Sequence, residues 1–241
     1  MEPTLIWILV SVLGGFVLAL LLGRGLVPAL RALKAGQSIR EVGPKWHQGK
    51  AGTPTMGGIV FILSSLLCIV TGWHAMRETG DYKHLLVLAL ALMFGLIGFA
   101  DDFIKVKKKR NLGLTGLQKL VLQVLAACLF LAGMHFTNAL TYDLYIPFVR
   151  EPLVHIPPLV YLALSVFIIV GCVNAVNLTD GIDGLATGVT LPVMLFFTLV
   201  SMTAKQWGLA TFPATLVGAL GGFLFYNFYP YRLIRLRRKF L

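Results

Sequence analysis

Charge is what this sequence has least of. Asp, Glu, Lys and Arg together supply 13% of 241 residues, against 57% hydrophobic side chains, and mean hydropathy is +0.82. Too few charges are present to cover the surface of a soluble globular domain of this length, so that class is excluded and an integral membrane protein is indicated. Cysteine is scarce as well. Cys68, Cys128 and Cys172 lie singly in apolar stretches without paired spacing, which excludes a disulfide framework and a cysteine zinc site and leaves them as packing residues. Long polar linkers, low-complexity tracts and solenoid-period repeats are also absent, so the working expectation is a single membrane domain over 1–230 followed by a basic tail, 231–241. No two of the five histidines, His47, His74, His84, His135 and His155, stand at metal-ligand spacing, and they read as interface residues.

What is present is a series of apolar runs, at about 5–22, 57–73, 85–100, 120–134, 159–173, 185–202 and 212–229. Each approaches the ~17–25 residues that cross a bilayer as a helix. An all-α, polytopic fold of about seven transmembrane helices follows. The first run has no Lys or Arg before it and no small-residue cleavage site after it, so it reads as a retained helix rather than a signal peptide.

If alternate connections share a side, the cations divide unevenly. One face takes six Lys and Arg before Gly57, six between Lys105 and Lys119 and five after Pro230; the other takes Arg77, Lys83, Arg150 and Lys205. The positive-inside rule then puts the N-terminus outside and the C-terminus in the cytoplasm. The net charge of +11 is accounted for by topology and anionic headgroups, without nucleic acid as a partner.

Three polar motifs fall on the cation-rich side. "GFADDFIKVKKKR" (98–110) carries the vicinal pair Asp101 and Asp102 directly after an apolar run. At a helix C-terminus each carboxylate is unfavourable by roughly 0.3–1 kcal/mol, and the two repel one another. Hydration, pairing with Lys105 and the following cations, or a hard divalent ion such as Mg2+ shared with substrate phosphates would each offset that cost. In "NAVNLTDGIDGLATG" (174–188), Thr179, Asp180 and Asp183 read as N-caps of the next helix, while Asn177, Thr179 and two glycines offer a polar lip for an anionic or nucleotide ligand, and the two roles are compatible. "KAGTPTMGG" (50–58) is a turn whose Lys50 and Thr55 join the same face.

These motifs, together with "GQSIREVGPKWHQGK" before them and "NLGLTGLQK" after the acidic pair, closely resemble bacterial phospho-N-acetylmuramoyl-pentapeptide transferases, a branch of the polyprenyl-phosphate sugar-1-phosphate transferases. The likeness runs in order from the first span to "NFYP" (227–230). It implies a Mg2+-dependent enzyme that moves phospho-MurNAc-pentapeptide from UDP-MurNAc-pentapeptide to undecaprenyl phosphate in a bacterial plasma membrane, with a cytoplasmic active face and a homodimer as one assembly. It also implies Asp101 and Asp102 as the catalytic pair and, with Asp180, as metal ligands. Lys50, Thr55, Lys119, Asn177, Asp180 and Asp183 would contact substrate. The family's further aspartate loop and histidine-rich motif have no counterpart in 231–241, so the resemblance carries an expectation of a C-terminally incomplete member that is catalytically crippled and releases little or no UMP. Two other readings stay open: a sibling transferase using UDP-N-acetylglucosamine, and a non-catalytic membrane remnant.

Overall fold

The structure is a computed structural model that describes residues 3–32, 56–108, 112–144, 154–180 and 184–227. It consists of α1 (Pro3–Ala32), α2 (Ile59–Ser65), α3 (Leu67–Thr79), α4 (Lys83–Lys108), α5 (Gly116–Phe136), α6 (Pro158–Thr179), α7 (Leu185–Thr203) and α8 (Trp207–Asn227). A two-residue antiparallel pair, β1 (Asp143–Leu144) and β2 (Val154–His155), stands between α5 and α6.

Six of the seven apolar runs become single helices long and apolar enough to span a bilayer. The remaining run is divided: α2 and α3 meet at Leu66, whose N–H bonds back to Leu63 and Ser64. The sequence supplies the cause just before the break. Ser64 Oγ donates to Val60 O at 2.8 Å and Ser65 Oγ to Ile62 O at 2.7 Å, so two successive hydroxyls compete for the carbonyls that hold the helical ladder.

The centre of the molecule is α8. Two thirds of its most apolar window is buried, 67%, whereas only 6% of that of α6 is, so α8 is the hub and α6 lies at the periphery. Helix α8 touches α1, α2, α3, α4 and α7. Small residues allow the closest of these approaches. A Cβ on Gly218 would strike the carbonyl of Val12, one on Gly222 would lie 2.6 Å from Phe16 O, and one on Gly15 would lie 2.5 Å from Thr215 O. Lipid gives helices no hydrophobic reason to associate, so close van der Waals packing of this kind is what joins α1 to α8. Around the seam Ala19, Val60, Ala219 and Phe223 form one core cluster, and Ile8, Ala210 and Ala214 another.

Interhelical contacts sort the two ends of the bundle. At one end Tyr226 OH donates to Leu20 O at 2.6 Å, Asn227 reaches Thr187, and Asn174 reaches Gln123. At the other, Trp7 stacks edge-on with His74, and Lys83 Nζ donates to Gln206 Oε1 at 2.9 Å. The turns there are tight: Gly80, Asn138 and Lys205 all adopt left-handed backbone angles. The described parts of the two acidic motifs, with Met56–Gly58, therefore gather at one end, as the alternation of spans requires.

Two expectations are corrected. Helix α4 does not stop at the acidic pair but runs on to Lys108, so Asp101 and Asp102 stand inside it, and Lys105, Lys107 and Lys108 occupy the last turn, where cations suit the helix dipole. His84 is no interface residue: it is fully buried, packed on Gly72, and neither ring nitrogen has a hydrogen-bond partner. Cys68 is buried, while Cys128 and Cys172 are exposed on their helices. Residues 231–241 lie outside the described residues.

Candidate active site at the α4–α5 corner

The site is assembled by a short return of the chain. After α4 the backbone comes back through Leu112, Gly113 and Leu114 to Thr115, the N-cap of α5. Thr115 Oγ1 accepts from Gln118 N–H at 3.2 Å, and Gln118 Oε1 accepts from Thr115 N–H at 3.0 Å. This reciprocal capping box fixes where α5 begins. Gly113 lies against Asp101; a Cβ there would strike Asp101 Oδ1 and lie 2.6 Å from its backbone oxygen. Only glycine lets the return come close enough for Leu114 N–H to donate to Asp101 Oδ1, at 2.9 Å.

Asp101 is 5% exposed and carries a full set of partners. Besides Leu114, Lys105 Nζ lies 2.7 Å from Oδ2 and Lys119 Nζ 3.1 Å from the same oxygen. Lys105 sits one helical turn beyond the pair and also reaches Asp102 Oδ1 at 3.0 Å. The result is a compact group of two carboxylates and two ammoniums. Asp101 is held from three directions, whereas the Asp102 side chain remains 34% exposed and so accessible to a ligand. A buried carboxylate that lost these partners would be strongly destabilising, which explains why the return loop and the first turn of α5 converge on it.

The donor chemistry suits a hard divalent cation at Asp102. Mg2+ takes oxygen ligands, retains waters and commonly uses only one or two protein carboxylates beside substrate phosphates. The wider set of Asp101, Asp102 and Asp180 is not gathered here: among the described residues no three His, Cys, Asp or Glu side chains are placed to hold a metal ion. The arrangement of helices gives the reason. Helix α5 packs against both α4 and α6, but α4 and α6 do not touch, and Asp180 ends α6.

Of the other residues expected at the site, Lys119 is brought onto Asp101. Asn177 and Asp180 lie exposed on and after the last turn of α6. Lys50, Thr55 and Asp183 lie outside the described residues. Thr179 does not cap the following helix: its Oγ1 donates back to Ala175 O at 2.9 Å, and the N-cap position of α7 is Gly184, left-handed at φ 81°. A second tie escaped the sequence reading. Asn174 Nδ2 donates to Gln123 Oε1 at 2.8 Å and to Val170 O at 2.9 Å, fastening α6 to the same end of α5 that carries Lys119. Its signal was available, since an amide side chain within an apolar span needs a partner.

One cavity among the described residues stands elsewhere. About 350 Å³ in volume, it is lined by Asp81, Lys83, Asn138, Lys205, Gln206 and Trp207 among others. Lys83 begins the helix that carries Asp101, which puts the cavity about 27 Å away along α4. It contains none of the acidic-motif residues.

Comparison with known proteins bears on this geometry. The glycosyl transferase family 4 profile matches residues 84–234, which takes in both acidic motifs, and a phospho-N-acetylmuramoyl-pentapeptide-transferase signature matches 50–62. The chain is 44% identical over 225 residues to a protein of Clostridium acetobutylicum, covering 92% of this chain and 68% of that one. It is 44% identical to a protein of Carboxydothermus hydrogenoformans, with 91% and 68% covered. A Bacillus subtilis protein is 44% identical over 223 residues, with 92% and 68% covered. All three bear the name phospho-N-acetylmuramoyl-pentapeptide-transferase.

Proposed function

From the premise that this chain belongs to the phospho-N-acetylmuramoyl-pentapeptide-transferase family, we propose that it transfers phospho-MurNAc-pentapeptide from UDP-MurNAc-pentapeptide to undecaprenyl phosphate. It is a multi-pass bacterial membrane protein, and the reaction makes a lipid-linked peptidoglycan precursor. An oxygen of the lipid phosphate attacks the sugar-bearing phosphorus of the UDP carrier. The bond between the two phosphates breaks, and UMP leaves with the electron pair. The observation that supports a site at the α4–α5 corner is the pairing of a buried, fully partnered Asp101 with a half-exposed Asp102 between two ammoniums.

Phosphoryl transfer asks mainly for positioning and charge neutralisation. Asp102 would hold Mg2+, which supplies charge neutralisation for the phosphates when bound. Asp101 orients Lys105 and Lys119 and fixes the return loop, so the ammoniums are presented in place rather than found by search. Lys119, on the first turn of α5, would meet the diphosphate on this reading. Lys50, Thr55, Asn177, Asp180 and Asp183 belong to the nucleotide-sugar side on this reading. The cation excess at the site's end of the bundle supports a cytoplasmic active face.

The test is release of UMP by the purified chain in detergent. It should require UDP-MurNAc-pentapeptide, undecaprenyl phosphate and Mg2+ together. Release from UDP-N-acetylglucosamine in place of the muramoyl substrate would overturn the assignment.

A further inference from the structure

Lys105 has a position that neutralising a surface charge does not require. Its nitrogen lies 2.7 Å from an oxygen of Asp101 and 3.0 Å from an oxygen of Asp102, so one ammonium bridges the vicinal pair. Lys119 makes no such bridge in the contacts described for it; it reaches Asp101 alone, from another helix. A Mg2+ ion held at Asp102 would need a carboxylate that this ammonium now contacts, and the two like charges would repel one another there. The two cations are alternatives.

We propose that Lys105 is a positioning residue that acts as the resident counter-cation of the Asp101–Asp102 pair, holding both carboxylates oriented until a divalent cation displaces it. The inference rests on the assignment of a divalent cation to Asp102 in the proposed function. Geometry supports exchange rather than permanent occupancy. Lys105 is 36% exposed and one turn along the same helix, so a change of side-chain rotamer clears the pair without moving backbone. Asp101 would keep its bonds from Leu114 and Lys119 throughout, so the buried carboxylate is never left unpartnered. The exposed Asp102 is the carboxylate that changes partner. A competing cation also sets a ceiling on affinity: the metal binds only as tightly as it outbids a tethered ammonium.

The experiment is a titration of the purified full chain with Mn2+ at low salt, followed by electron paramagnetic resonance and without nucleotide. Relative to the native chain, Lys105→Met should bind Mn2+ about tenfold more tightly, because a positive charge in contact with both carboxylates is removed. Lys105→Gln, which keeps a hydrogen-bond donor without the charge, should do the same and provides a second reading should the first variant fold poorly. Lys105→Arg should return the affinity to near the native value. Asp102→Asn should weaken binding. If Lys105 only braced the carboxylates, its removal would weaken binding, and equal or weaker affinity in both neutral variants overturns the proposal. Unchanged affinity in Asp102→Asn shows instead that the metal is not held at this pair, and both the site assignment and this proposal fall together.

Discussion

Asp101 is the residue on which the α4–α5 corner turns. Three donors converge on one carboxylate that is 5% exposed, and each comes from a different stretch of chain. Hydrogen bonds to charged groups contribute about 1.5–3 kcal/mol each. Losing one such contribution in the transition state lowers the rate by about 10–100-fold. Asp101→Asn should therefore reduce UMP release by about that factor or more, while Lys119→Met, which leaves Lys105 and Leu114 in place, should be milder. Gly113→Ala makes a separate test of positioning. The added methyl must push the return loop off Asp101, and we expect about tenfold lower kcat with the nucleotide-substrate KM little changed. The acidic pair was legible in the sequence, and Lys119 was reached through the family resemblance, though not its ion pair with Asp101. Gly113 was not, because its role depends on a close approach of backbone that becomes visible only when α4 and α5 are placed together.

Among the elements, the unexpected lengths carry the information. Apolar content alone ends the fourth helix near Ala100, but α4 runs to Lys108 because Asp101 and Asp102 are neutralised from within and the last turn is cationic. The split between α2 and α3 was hidden for a different reason: serine is unremarkable by hydropathy, and its competition for helix carbonyls shows only in hydrogen bonding. Helix α6 is fastened to α5 by the Asn174–Gln123 bond. Interhelical polar contacts in membranes contribute about 0.6–1.7 kcal/mol. Gln123→Leu should accordingly lower the thermal midpoint in detergent by a few degrees, and combining it with Asn174→Leu should cost less than the sum, since both remove one bond. Thr115→Ala removes half of the capping box and should destabilise by about 1 kcal/mol.

For the whole molecule, the number of apolar runs, their order and the end at which the polar motifs gather were all readable from hydropathy and charge. Which helix would be central was not. Composition makes α6 the more apolar of α6 and α8, yet α8 is the hub, because burial in a membrane protein follows small residues and shape rather than hydrophobicity. Gly218→Val should therefore abolish folded protein on size-exclusion chromatography, whereas Gly171→Val, on α6 with no atom near its missing side chain, should be tolerated. Orientation is checked separately. A reporter inserted at Asn138 should be external and one inserted at Arg110 cytoplasmic; the reverse would invert the membrane face assigned to the site.

The pairing of α1 with α8 also sets a timetable for biosynthesis. The hydrogen bond from Tyr226 to Leu20 spans 206 positions of chain. At ribosomal speeds of ~5–20 residues per second, the first helix enters the bilayer roughly 10–40 s before its principal neighbour has been made. During that interval its Gly14–Gly15 groove faces lipid or whatever other small-residue helix is nearby. A photocrosslinker at Val12 in stalled nascent chains should therefore capture lipid or insertion machinery when synthesis is arrested before α8. It should switch to capturing α8 once that helix has emerged, so the last described helix closes the fold around the first.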